Sequence, residues 1–164
     1  YVFFFWRYNQ TVFMKSKLLL LLKTILCLTA IGIVTGMIWF PQTEGRATNL
    51  NMIDIYTDPL IIYGYISLIP FFIGLYQILK LFNLIDSNKF FSKNSVDILR
   101  KIRKSSISLI TLIGLALVYI RFFVQGDDPA GPTMLGICIS VLLLLVVMAT
   151  YVLERFAREN LNAE

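Results

Sequence analysis

Gln77, Asp127 and Asp128 have the best claim to reaction chemistry in this sequence, as an amide and two adjacent carboxylates able to handle a proton or grip a polar headgroup. Their surroundings limit them. Gln77 sits near one end of an apolar run, and the aspartates lie in "GDDPAGP", whose prolines and glycines spell a tight turn. The chain has no histidine, no cysteine pair at metal spacing, no glycine-rich phosphate loop and no serine in a nucleophile setting. The familiar catalytic classes are therefore not indicated, and the sequence predicts a non-enzyme with no catalytic residue, no metal and no cofactor. Cys27 and Cys138 fall inside apolar runs, where they read as small packing residues rather than disulfide partners.

The remaining residues with chemical character are basic. Between Lys80 and Lys104 lie seven of the fifteen Lys and Arg residues, and Lys89, Lys93, Arg100, Lys101, Arg103 and Lys104 are the candidates for meeting a membrane surface or a partner. Nucleic-acid binding is not expected, because that needs charge presented away from a membrane.

The elements that hold these residues are greasy. With 164 residues the chain has the length of one domain, and 57% hydrophobic composition exceeds what a water-soluble core requires. A bilayer core about 30 Å thick takes roughly 20 apolar residues in a helix rising about 1.5 Å per residue. Four runs meet that length: 18–40, 60–79, 105–124 and 130–153. The expected fold is all-α, a four-helix transmembrane bundle within 14–164. Residues 1–13, ahead of Met14, are expected to be an extension upstream of the natural start or an aromatic interfacial lead-in. No Asp or Glu lies inside any run, which disfavours a proton-driven pump. Thr24, Thr29, Thr35, Ser67, Ser108, Thr111 and Thr150 are expected to bond helix backbone or a neighbour.

Charge sets the direction. Arg7, Lys15, Lys17 and Lys23 precede or open the first run, seven basic residues separate the second from the third, and Arg155 and Arg158 follow the fourth. Only Arg46 and Arg121 fall on the other side. Excess Lys and Arg mark cytoplasmic segments, so both termini and the 80–104 segment are expected in the cytoplasm of a bacterial inner membrane. Lys23 and Arg121 lie within a turn of a run's end, where long basic side chains snorkel to headgroups.

Inside the 80–104 segment a short amphipathic helix is expected, capped by Ser92 or Asn94, with Asp97 in its first turn and paired to Lys101. Ile98, Leu99 and Ile102 form its apolar stripe, which places it along the membrane surface before the third run. Gly32 with Gly36, and Gly136 with Ser140, are the candidates for close helix packing, because small residues let backbones approach in lipid. Pro70 should bend the second helix. Glu154 and Arg158 stand four apart in a polar helical tail.

The stretches "GLYQILKLFNLIDSNKFFSKNSVDILRKIRK", "GDDPAGPTMLG" and "YVLERF" resemble the bacterial membrane family called domain of unknown function 2975, over roughly Met14 to Leu161. The most specific parts are "FFSKNSVDILRKIR" and "DDPAG", neither of them a catalytic signature. The resemblance implies a four-span inner-membrane protein without assigned catalytic residues, and, because such proteins are often encoded beside a small helix-turn-helix regulator, a signalling partnership with one. The leading expectation is a non-enzymatic module that senses the envelope or tethers that regulator. Anionic lipids on the cytoplasmic face are expected as its surroundings. The alternatives are a subunit of a transporter or channel, assembled as a homo-oligomer because four spans enclose little space, and a lipid-modifying enzyme built on Gln77, Asp127 and Asp128.

Overall fold

The computed structural model describes residues 2–43, 56–57, 59–87, 89–123 and 130–161. Four long helices carry them: α1 (Val2–Thr43), α2 (Pro59–Asp86), α3 (Lys93–Phe123) and α4 (Ala130–Leu161). All four are long and apolar enough to cross a membrane. The expected all-α, four-span architecture is present. Each helix outlasts its apolar run, which adds about two turns at the basic ends of α2 and α4 and about three at that of α3.

α2 packs against α1 on one side and α3 on the other, and α3 packs most extensively on α4. Tyrosines fasten the first two contacts. Tyr63 and Tyr65 lie two residues apart, on nearly opposite faces of a helix. Tyr63 accordingly donates to the Leu112 carbonyl of α3 at 2.8 Å, and Tyr65 to the Met37 carbonyl of α1 at 3.2 Å. Tyr56 donates to the Ile38 carbonyl at 2.9 Å. A hydroxyl in lipid has no water to bond, so a neighbouring backbone oxygen is its natural acceptor.

Six of the seven hydroxyls expected to bond inside the helices, all but that of Ser108, do so. Thr24, Thr29, Thr35, Ser67, Thr111 and Thr150 each donate to the carbonyl four residues earlier. Large apolar residues such as Leu20, Ile69, Leu115 and Met148 stay exposed along all four helices, as lipid-facing side chains do. Cys27 and Cys138 are exposed too, so they face lipid rather than packing between helices. Pro70 sits inside α2, which continues through it.

The two small-residue pairs fare differently. A Cβ built on Gly136 would come within 2.9 Å of the Leu117 side chain of α3, and Ser140 donates to the Gly136 carbonyl at 2.8 Å. A Cβ on Gly32 or Gly36 would meet nothing within 4 Å. Gly136→Leu is therefore expected to prise α3 from α4 at a cost of about 1–3 kcal/mol, the usual range for overpacking. Gly32→Leu should leave the melting temperature of the purified chain unchanged. Equal melting of the two variants would show that Gly136 is not a contact.

The expectation of a separate surface helix ahead of the third span is corrected. Residues 93–104 are helical and amphipathic, but α3 runs without a break from Lys93 to Phe123. No glycine or proline interrupts 93–113, so nothing ends the helix at the span boundary. The apolar stripe that would have been laid on lipid is instead covered by protein: Ile98, Leu99 and Ile102 are 0–2% exposed and pack with Leu81 of α2, with Ile78, Leu84, Ile85 and Phe90 around them.

Only residues 87–92 join α2 to α3, and the corner is firmly bonded. The Lys89 amide donates to the Leu84 carbonyl at 2.8 Å. Ser92 is the cap of α3, its hydroxyl accepting from the Ser95 amide at 3.3 Å, and the buried Ser95 hydroxyl donates to the Lys89 carbonyl at 3.2 Å. Asp97 consequently falls in the second turn rather than the first. Its partner is Arg100 at 3.9 Å, one residue nearer than the expected Lys101. Both groups are exposed, and the pair adds little stability.

Candidate functional site

The polar residues gather at the end of the bundle where α2 ends, α3 begins and α4 ends, hereafter the basic end. At its centre is Glu154, which follows the apolar run of α4 and is only 5% exposed. Such burial requires compensation, because a carboxylate taken out of water without a partner is costly by several kcal/mol. Three guanidiniums supply it. Arg158, one turn further along α4, donates from Nη2 to Glu154 Oε1 at 2.7 Å. Arg100 of α3 donates to the same oxygen at 3.4 Å. Arg103, one turn after Arg100, places Nη1 2.7 Å from Oε2. That last approach is a charge contact rather than an aligned hydrogen bond, since Oε2 has no bond of good geometry.

A small buried residue favours this convergence. Ala157 of α4 is 0% exposed in the most extensive helix contact of the bundle, that between α3 and α4, and its small side chain suits the close approach by which arginines on one helix reach a carboxylate on the other. Arg103 also lies over the Tyr151 ring, its guanidinium carbon 5.7 Å from the centroid, and this fixes the plane of the charge. Phe91 and Phe156 meet at 6.0 Å beside the cluster. α1 joins the same end through Lys23, whose Nζ is 3.4 Å from Asp86 at the close of α2.

Burial pushes the Glu154 carboxyl up, but the hydrogen bond from Arg158, the charges of Arg103 and Arg158 and the bond from Arg100 outweigh it and hold the group below its ordinary value. A carboxyl depressed in the folded state stabilises that state above its unfolded pKa, and the contribution fades as pH falls through the folded one. With Glu154 in place, thermal stability in detergent should thus be independent of pH near neutrality and begin to drop below about pH 4.5, the unperturbed value. The same acid limb should be absent from Glu154→Gln; an identical limb in that variant would assign the acid sensitivity to another group.

The six basic candidates divide into two sets. Arg100 and Arg103 turn inward to Glu154. Lys89, Lys93, Lys101 and Lys104 are exposed, with Lys101 and Lys104 on one stripe of α3. Glu154 and Arg158, previously read only as a tail pair, prove to be the centre of the assembly. The clue in the sequence was that α3 carries Arg100 and Arg103 with only one acid, Asp97, near them, while one acid opens the tail of α4.

The chemical candidates are not assembled in the same way. Gln77 is half-buried in α2, its Oε1 buried with no hydrogen-bond partner, rather than turned to the headgroups. Asp127 and Asp128 lie outside the described residues, as do Arg46 and the segment around it. Among the described residues no three His, Cys, Asp or Glu side chains are grouped as metal ligands would be.

Two open grooves flank Glu154. One, of about 340 Å³, is lined by Arg103, Tyr151, Glu154, Arg155 and Arg158. The other, of about 370 Å³, is lined by Lys93, Val96, Asp97, Arg158 and Leu161.

Comparison with known proteins gives a consistent picture. The sequence model of a family described as "Protein of unknown function (DUF2975)" matches residues 42–162. The chain is 27% identical over 154 residues to the "Uncharacterized membrane protein YoaS" of Bacillus subtilis (strain 168), covering 93% of this chain and 92% of that protein. No solved structure matches.

Proposed function

We propose, for a multi-pass membrane protein that belongs to the DUF2975 family, a family of unknown function, a non-enzymatic role in which the basic end faces the cytoplasm and holds a cytoplasmic regulator at the membrane. The orientation rests on the thirteen-to-two division of Lys and Arg between the two sides. The role rests on one observation: the basic residues are mounted on an ordered frame. Setting topology needs only charge near the ends of spans, and a loose basic loop provides it. Here Leu99, Ile98 and Ser95 are fully buried beneath the exposed lysines, and Glu154 locks the frame to α4.

Because α3 is continuous, the frame and the third span move as one body. A change felt within the bilayer therefore reaches Lys93 and Lys101 without an intervening hinge. This is what a module that reports the state of the envelope to a bound regulator requires. The partner suggested by the family resemblance is a helix-turn-helix regulator encoded nearby.

The test is co-expression of that regulator with the full chain, followed by membrane fractionation. Wild-type protein should carry the regulator into the membrane fraction, and joint replacement of Lys89, Lys93, Lys101 and Lys104 by glutamine should release it. A regulator that stays soluble beside the wild-type protein overturns tethering. Labelling of a cysteine placed at Lys93 from outside intact cells overturns the orientation. Solute flux in vesicles holding the purified chain alone would redirect the reading to transport.

A further inference from the structure

We infer that the groove between the basic ends of α3 and α4, lined by Arg103, Tyr151, Glu154, Arg155 and Arg158, binds a phosphate group, and that an anionic phospholipid headgroup is its source. The inference does not depend on the tethering role, since it concerns a different face and a different ligand.

Charge balance is the first ground. Glu154 carries one negative charge and is in contact with three guanidiniums, those of Arg100, Arg103 and Arg158. Asp97 also meets Arg100 at 3.9 Å, so three guanidiniums face two carboxylates and one positive charge in that cluster has no counter-charge there. Arg155 is neutralised by Glu159 at 3.0 Å, but only through Nε, one of its five N–H donors. Arg158 meets Glu154 through Nη2 and Arg103 through Nη1, so each keeps further donors for a second acceptor.

Donor type is the second ground. The planar guanidinium fork matches two oxygens of a phosphate, which the ammonium of lysine does not. The groove gathers three arginines and no lysine, whereas the lysines of the basic end lie elsewhere on its surface. Arg103 is held over the Tyr151 ring and against Glu154, so its fork is fixed before any ligand arrives. A fixed donor loses less freedom on binding than a mobile one.

Depth is the third ground. The apolar run of α4 ends at Leu153, and the groove begins beside it, with Tyr151 and Phe156 more than half exposed at the same level. Aromatic residues at the end of a span mark the headgroup layer. Lipid phosphates are concentrated there, and a volume of about 340 Å³ accommodates a phosphodiester with the start of its glycerol.

The full chain in a neutral detergent, titrated with phosphatidylglycerol or with phosphatidylcholine of the same acyl chains and read by native mass spectrometry, tests this directly. Phosphatidylglycerol should be retained in preference. Arg155→Gln, which leaves every contact of Glu154 in place, should weaken its retention about fivefold, the factor corresponding to one basic residue at an anionic surface. Lys101→Gln removes the same charge from the exposed stripe and should leave retention unchanged. Equal losses in the two variants mean diffuse attraction and overturn the groove, as does equal retention of the two lipids. Inorganic phosphate, at ionic strength matched with chloride, should not displace the lipid; displacement that depends on Arg155 would support phosphate recognition and overturn the headgroup as its source.

Discussion

Replacing Glu154 by glutamine is expected to cost the folded protein about 3–5 kcal/mol, the range for removing one partner of a buried ion pair. The size follows from what is left behind. Arg100, Arg103 and Arg158 would face one another around a neutral amide, with Arg103 only 24% exposed and unable to recover full hydration. Unfolding of the purified chain in mixed micelles measures the loss. Arg100→Gln should cost much less, because Arg100 lies at 3.4 Å and is 41% exposed, so water already screens its contact. A loss below about 1 kcal/mol for Glu154→Gln, the value of a surface pair, would mean that the cluster does not hold α3 to α4.

Leu99→Ala should cost about 2–5 kcal/mol, the range for a buried leucine whose cavity only partly collapses. Leu99 is 0% exposed, between Ile98 and Ile102 on one helix and Leu81 on another. This cluster lies beyond the apolar run of α3, where water rather than lipid is the competing medium, so burial there carries the full hydrophobic term. Leu115→Ala, at a position 57% exposed along the span, trades one lipid-facing apolar surface for a smaller one and should be nearly silent. Comparable losses at the two sites would contradict the distinction between a packed basic end and lipid-facing spans.

Four spans were legible because length and hydropathy alone decide what crosses a bilayer, and 18–40, 60–79, 130–153 and all of the third run up to 123 fall within observed helices. The stripe of Ile98, Leu99 and Ile102 was legible as well, but not what covers it. Periodicity states that a face is apolar; lipid and protein satisfy it equally, and only the third dimension places Leu81 and Phe90 there. Glu154 escaped for a related reason. Its partner at i+4 is visible along one helix, whereas Arg100 and Arg103 are more than fifty residues away in the chain, and side-chain pairing across helices leaves no spacing to read. The glycine pairs show the same limit: Gly136 meets Leu117 and Gly32 meets nothing within 4 Å, although both belong to equally good small-residue patterns.

The unbroken course of α3 gives the molecule a ruler. Thirty-one residues make a rod about 46 Å long against a hydrocarbon layer about 30 Å thick. A span answers thinning or thickening of its bilayer by changing its tilt. The twelve residues from Lys93 to Lys104 project about 18 Å beyond the span, so a tilt of about 10° swings the Lys93 tip sideways by about 3 Å. In the proposed role, membrane thickness would in this way be converted into the position of a charge.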